Sequence, residues 1–255
     1  MSKSRDSIKA FIKKYRILLL TTVVLLLVVS VYAAWSKVMW DSYQERTGRR
    51  AHEVKTKLDS ALAMPGKNEE DRKKKLTALE TAHRLMANGQ ECALNSLIDW
   101  QRLWGGLSRR VEECRKSKEN LAALEAATED VTSYLKNEQV LSDILNQAPR
   151  TPEVAEESWV AQVTAWNTVA TQVSTMSSSE VFKSTKQTAS NVSNSIATAW
   201  DKLLKAHKAQ DKAGYEEAHL QLVRSYGGLS AISDVAASQA EPLFRKFDEA
   251  YAGAF

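Results

Sequence analysis

Nine glycines and four prolines are spread over 255 residues, too few for the frequent turns of an all-β domain. Outside residues 17–35 no run of β-branched and aromatic residues alternates with period two, so strands have no support in the sequence. No glycine-rich phosphate loop joins a strand to a helix, and no Ser, His and Asp set surrounds a strand-to-helix elbow. Gly105-Gly106 and Gly227-Gly228 are lone pairs, which read as helix punctuation. No segment beyond residue 35 interleaves a basic face with aromatics, so nucleic acid is not expected as a partner. The net charge of +4 owes much to the N-terminal tail and leaves the remainder near neutral.

One long apolar run is present. From Ile17 through Val29, and on to Trp35, the chain carries no ionisable group more polar than the Tyr32 hydroxyl. About twenty such residues at 1.5 Å each cross a hydrocarbon slab of roughly 30 Å, and a lone segment does so only as a helix. Lys3, Arg5, Lys9, Lys13, Lys14 and Arg16 precede the run, and Lys37 alone follows it closely. This asymmetry predicts a cytoplasmic N-terminus and an extracytoplasmic C-terminal part. Tyr15 and Arg16 on one flank, with Tyr32, Trp35 and Trp40 on the other, suit the two interfacial belts. The run exceeds the usual core of a cleaved signal peptide, so an uncleaved signal-anchor is the favoured reading over cleavage near Val31-Tyr32-Ala33.

The next 220 or so residues read as helices. Trp40, Tyr43, Thr47, Ala51, Val54, Leu58 and Ala61 step by three and four, a stalk that Met64-Pro65-Gly66 ends. Asn68 can cap a second helix opened by Glu69, Glu70 and Asp71, with Asn88-Gly89 at its end. A short segment runs from about Ala93 to Trp104, and a long stripe from Leu107 to about Asn146. Pro149-Arg150-Thr151-Pro152 breaks the chain and is the expected subdomain boundary. Further stripes run from Val154 to Val173 and from Phe182 to Ala206. Asp211 is expected to cap a helix that Gly227-Gly228 ends, followed by a last helix kinked at Pro242. The expected organisation is a basic tail over 1–16, a transmembrane helix over 17–35, a stalk and first helical subdomain over 36–148, and a second helical subdomain over 149–255. The fold class is all-α: one N-terminal span continuing into a stalk, then an extracytoplasmic antiparallel bundle in two parts.

Cys92 and Cys114 are the two cysteines. On one straight helix their spacing would put them about 33 Å apart, far beyond the roughly 7 Å reach of a disulfide. If the segment from Ala93 to Gly106 folds back on the long helix the sulfurs meet, and an oxidising compartment would bridge them. A second pattern is an echo between two helical hairpins. Glu80-x-x-His83 and Glu216-x-x-His219 each place a carboxylate and an imidazole one helical turn apart. Ferritin-like bundles bind paired metals with two such pairs and two further glutamates, a role open to Glu53 and one of Glu112, Glu113 or Glu125. The neighbouring Lys73-Lys74-Lys75 run opposes a metal cluster, so half-buried histidines on apolar stripes are the simpler reading, with no metal or cofactor.

Candidate interaction residues fall at two ends. Trp40 and Tyr43 leave the membrane before any other helix is obliged to cover them. Phe244, Phe247, Tyr251 and Phe255 form an aromatic stripe that is either the inner face of the last helix or an exposed interface. The functional expectation is a non-enzymatic scaffold or interaction module at the outer membrane surface, with the lipid bilayer and a protein partner or self-association as its contacts. A sensory ligand-binding bundle is the alternative, and about 16 cytoplasmic residues would oblige it to signal through a membrane partner. The di-metal protein is a third reading.

Overall fold

The computed structural model describes the backbone of residues 2–64, 69–87 and 105–255. It describes the side chains from Thr21 onward in those ranges, except residues 36, 39, 40, 43 and 105–111. Every element among the described residues is helical. They are α1 (Ser2–Ala63), α2 (Glu69–Ala87), α3 (Gly105–Leu145), α4 (Trp159–Thr175), α5 (Lys183–Lys208) and α6 (Lys212–Ala254), with single 3-10 turns at Glu156–Ser158 and Glu180–Phe182. The contacts divide the chain into two compact units, Met1–Glu53 and Val54–Phe255.

The first unit lies within α1, and none of its described side chains is buried. Val23, Val24, Leu25, Leu26, Leu27, Val28, Val29 and Val31 are all exposed. Consecutive residues of an α-helix project about 100° apart, so this exposure encircles the helix and is not a stripe. Ser30 turns its hydroxyl back onto the Leu26 carbonyl at 2.7 Å, hiding one of the few polar groups in the run. Ile17 to Leu20, the start of the transmembrane helix expected over 17–35, lie outside the described side chains, as do Tyr15 and Arg16. Among the described residues no helix is long and apolar enough to cross a membrane. Thr21 to Trp35 alone spans roughly 22 Å at 1.5 Å per residue, short of the hydrocarbon thickness.

The second unit is a bundle with two apolar cores threaded by the same long helices. In the first core, Tyr134, Leu141 and Ile144 of α3 meet Trp166, Val169 and Val173 of α4, Ile196, Trp200 and Leu203 of α5, and Leu222, Tyr226 and Ile232 of α6. The second core gathers Val54, Leu58 and Ala61 of α1, Leu79 and Ala82 of α2, Leu124 and Val131 of α3, and Phe247 of α6. Pro149 therefore does not divide the bundle as the sequence suggests. The residues on both sides of it, Ala148 and Trp166, are buried in one core, and α3 and α6 run through both.

α6 corrects a second expectation, because it passes unbroken through Gly227-Gly228; Pro242 lies inside it. A Cβ on Gly228 would lie 3.2 Å from Cγ2 of Val192 on α5. The glycine is there for close helix approach, and packing against α5 offsets its helix-propensity cost of about 1 kcal/mol. The start of α6 is as the sequence implies. Asp211 Oδ1 accepts the Gly214 N–H at 3.0 Å, a cap onto the third helical residue. Before it, the Asp211 N–H reaches the Ala206 carbonyl and the Gln210 N–H reaches that of His207, both at 3.0 Å. That is the Schellman pattern, and Gln210 takes its left-handed position with φ 56° where glycine is usual.

Candidate functional site

A cavity of about 560 Å³ opens in the bundle between α2, α3, α4 and α6. Its floor is apolar and aromatic: Tyr134, Leu141, Trp166, Phe182 and Ile232 line it and are buried. Its lining also carries Arg72, Lys75 and Arg150, against one carboxylate, Glu138.

The two α2 cations are placed by helix geometry. In the run Arg72-Lys73-Lys74-Lys75 the inner pair is spent along the helix, Lys73 on Glu69 at 2.5 Å and Lys74 on Glu70 at 2.6 Å. The outer pair, three residues apart, shares the face that meets the cavity. Lys75 lies with Nζ 5.9 Å from the centre of the Phe244 ring. Arg150 donates to Asn146 Oδ1 at 2.5 Å. Among the described residues none of these three cations is in an ion pair. Burial pushes the Glu138 carboxyl above its ordinary value and Arg72 pulls it back, although Glu138 keeps an exposed surface.

A buried polar node stands behind the cavity. The indole N–H groups of Trp166 and Trp200 both donate to the Tyr226 hydroxyl, at 2.7 and 3.1 Å, and that hydroxyl donates to the Pro149 carbonyl at 3.3 Å. Burial raises the Tyr226 phenol, and the two indole bonds oppose the rise. The node ties α4, α5 and α6 to the loop that presents Arg150. Tyr134 closes the other side, donating to the Ala236 carbonyl at 2.7 Å, and burial pushes its phenol up to about 12.

The metal candidates are not brought together. Glu80 pairs with Lys136 at 2.6 Å on the side of the second core, and His83 keeps a buried Nδ1 with no hydrogen-bond partner among the described residues. Glu216 and His219 are exposed on the turn of α6 beside Ala218, which belongs to the first core, and His219 stacks on Tyr215. Glu112 is held by Arg115 at 2.6 Å. Among the described residues no group of three or more His, Cys, Asp or Glu is gathered so as to hold a metal ion.

The interaction candidates divide. Trp40 and Tyr43 lie outside the described side chains, whereas Tyr32 and Trp35 are described and their rings sit 6.3 Å apart. Trp35 is exposed. In the C-terminal stripe Phe247 is buried, Phe244 and Tyr251 are half-buried against the second core, and only Phe255 is exposed. The stripe is thus an inner face, because α6 returns to cover Val54 and Leu58 of α1. Tyr251 joins that contact through its hydroxyl, which accepts from Lys55 Nζ at 2.7 Å and donates to the Asp59 carboxylate. Hydrogen bonding to Tyr251 raises Lys55 and lowers Asp59 from their ordinary values.

Cys114 is buried and disulfide-bonded. Cys92 and the segment from Ala93 to Trp104 lie outside the described residues. The sequence reading missed the cavity cations, yet their signal was present as a four-residue basic run whose inner members have acidic partners four residues earlier.

Comparison with protein-family models, curated proteins and solved structures finds no match for this chain.

Proposed function

We propose that this is a non-enzymatic, membrane-anchored protein whose helical bundle works as an interaction module on the extracytoplasmic side. The observation that carries the reading is the collar of exposed valines and leucines from Val23 to Val31. A water-exposed helix that is apolar all round costs roughly 25 cal/mol for every Å² of that surface, and lipid removes the cost. The N-terminal cations set the direction. The disulfide at Cys114 supports the same direction, since an oxidising compartment preserves it. Cys92 is the one other cysteine that the sequence offers as its partner.

The C-terminal stripe is largely used inside the bundle, so the partner or a second copy of this chain docks through the lower stalk at Trp40 and Tyr43, beside the lipid headgroups. Alkaline carbonate washing of membranes tests the anchor. The wild-type chain stays in the pellet, and Leu26→Arg with Val28→Arg moves it to the supernatant, each arginine costing about 2.5–3.5 kcal/mol at the helix centre. Retention of the double variant with wild-type efficiency would remove the basis of the reading.

A sensory role is the second reading. The cavity between α2, α3, α4 and α6 favours it, and its output would pass through a membrane partner.

A further inference from the structure

We infer that the cavity is a binding site for a long-chain carboxylate, taken tail-first onto the aromatic floor with its head between Arg72, Lys75 and Arg150. The volume, about 560 Å³, is in the range of small-molecule sites. Tyr134 and Trp166 on the floor have already satisfied their polar atoms, Tyr134 on Ala236 and Trp166 on Tyr226, so they present hydrocarbon to the site. An apolar chain therefore meets no orphaned donor on those two rings.

The head group follows from charge. Three cations stand at the cavity against one carboxylate, and none of the three is ion-paired among the described residues. Their neighbours Lys73 and Lys74 are both paired, so the open charge is confined to the helix face that meets the cavity. Two guanidinium groups suit a planar carboxylate, which accepts paired N–H bonds from one fork. Glu138 discriminates against a doubly charged head by repulsion and leaves a single negative charge favoured. Arg150 is held in place through the Pro149 carbonyl and the Tyr226 hydroxyl, so the site is assembled before the ligand arrives. The inference goes beyond the anchored module and does not rest on the anchor.

The test uses the full chain in nanodiscs of zwitterionic lipid, with a diazirine-bearing hexadecanoate as probe and the matching hexadecanol as its neutral control. After illumination, labelled peptides are mapped by mass spectrometry. The carboxylate should label residues 134–145 and 229–244, and the alcohol should label them at about a fifth of that level, the scale of one exposed ion pair. Arg72→Gln with Lys75→Gln, neither of them buried, should reduce carboxylate labelling there by about fivefold or more while circular dichroism is unchanged. Labelling within residues 21–35 reports bilayer contact separately, so loss of that signal alone sinks the anchor and leaves the cavity assignment standing. Cavity peptides left unlabelled, or labelled equally by the alcohol or in the double variant, would overturn the assignment.

Discussion

The Trp166 indole donates to the Tyr226 hydroxyl across 2.7 Å inside the first core, and Trp200 donates to the same oxygen. One oxygen thus satisfies two buried donors from two helices, and its own proton goes to the loop at Pro149. Deleting it harms more than one bond. Tyr226→Phe strands both indoles and should lower stability by about 2–4 kcal/mol, a buried unsatisfied donor costing roughly 1–3 kcal/mol. Trp166→Phe removes one of the donors and leaves the hydroxyl with Trp200, so its polar cost is smaller. Urea unfolding followed by circular dichroism separates the two, and equal losses would show that the node is no unit.

Alkaline titration probes the other tyrosine of the site. Tyr134 is pushed up to about 12 by burial, above its ordinary 10.0. A raised folded value means the unfolded chain ionises first. The contribution is full below pH 10 and is lost as pH rises from there towards 12. Tyr134→Phe should flatten that decline while lowering stability near neutrality by about 1 kcal/mol through loss of the bond to Ala236. An unchanged alkaline slope would place the titration elsewhere.

At acid pH the contact between α1 and α6 responds. Tyr251 and Lys55 hold Asp59 below its ordinary value. A lowered folded value adds stability above the ordinary carboxylate range and loses it as pH falls through the folded value. Asp59→Asn should remove that part of the acid dependence, read from melting temperature against pH. Because Asp59 is at the surface, the effect is small and fades with salt.

Three backbone positions give opposite expectations for one-residue changes. Gly227 has open space where a Cβ would go, so Gly227→Ala should stabilise α6 by about 0.5–1 kcal/mol. Gly228→Ala gains the same propensity and loses it against Val192, giving less or nothing. Gln210→Gly relieves the left-handed strain at φ 56° and should stabilise by about 0.5–1 kcal/mol. Thermal unfolding ranks them, and a stabilising Gly228→Val would contradict the close approach to α5.

How much of this was legible follows from which residues carry local signals. Asp211 advertises a cap, which holds, and the stripe from Phe182 to Ala206 advertises an inner face, which is buried at Phe182, Ala189, Ile196 and Leu203 and half-buried at Val192 and Ala206. Gly227-Gly228 was misread because a glycine that ends a helix and one that admits a neighbour look alike without the neighbour; Val192 supplies the difference. Pro149-Arg150-Thr151-Pro152 marks a loop correctly, but whether a loop separates two domains depends on what Tyr226 does 77 residues later. The cavity was the least legible feature. Its lining is gathered from positions 72 to 244, and only Arg72 and Lys75 leave a trace at short range, through the pairing of the two lysines between them.

The central claim is an anchor with the bundle on its far side, and protease accessibility measures it most directly. Protease added outside spheroplasts should degrade the region after residue 40 and leave an N-terminal tag protected. The same samples, alkylated without reduction, should show Cys92 and Cys114 blocked as one bridge. A bundle that stays intact until the membrane is broken, with both thiols free to alkylate, would contradict the account.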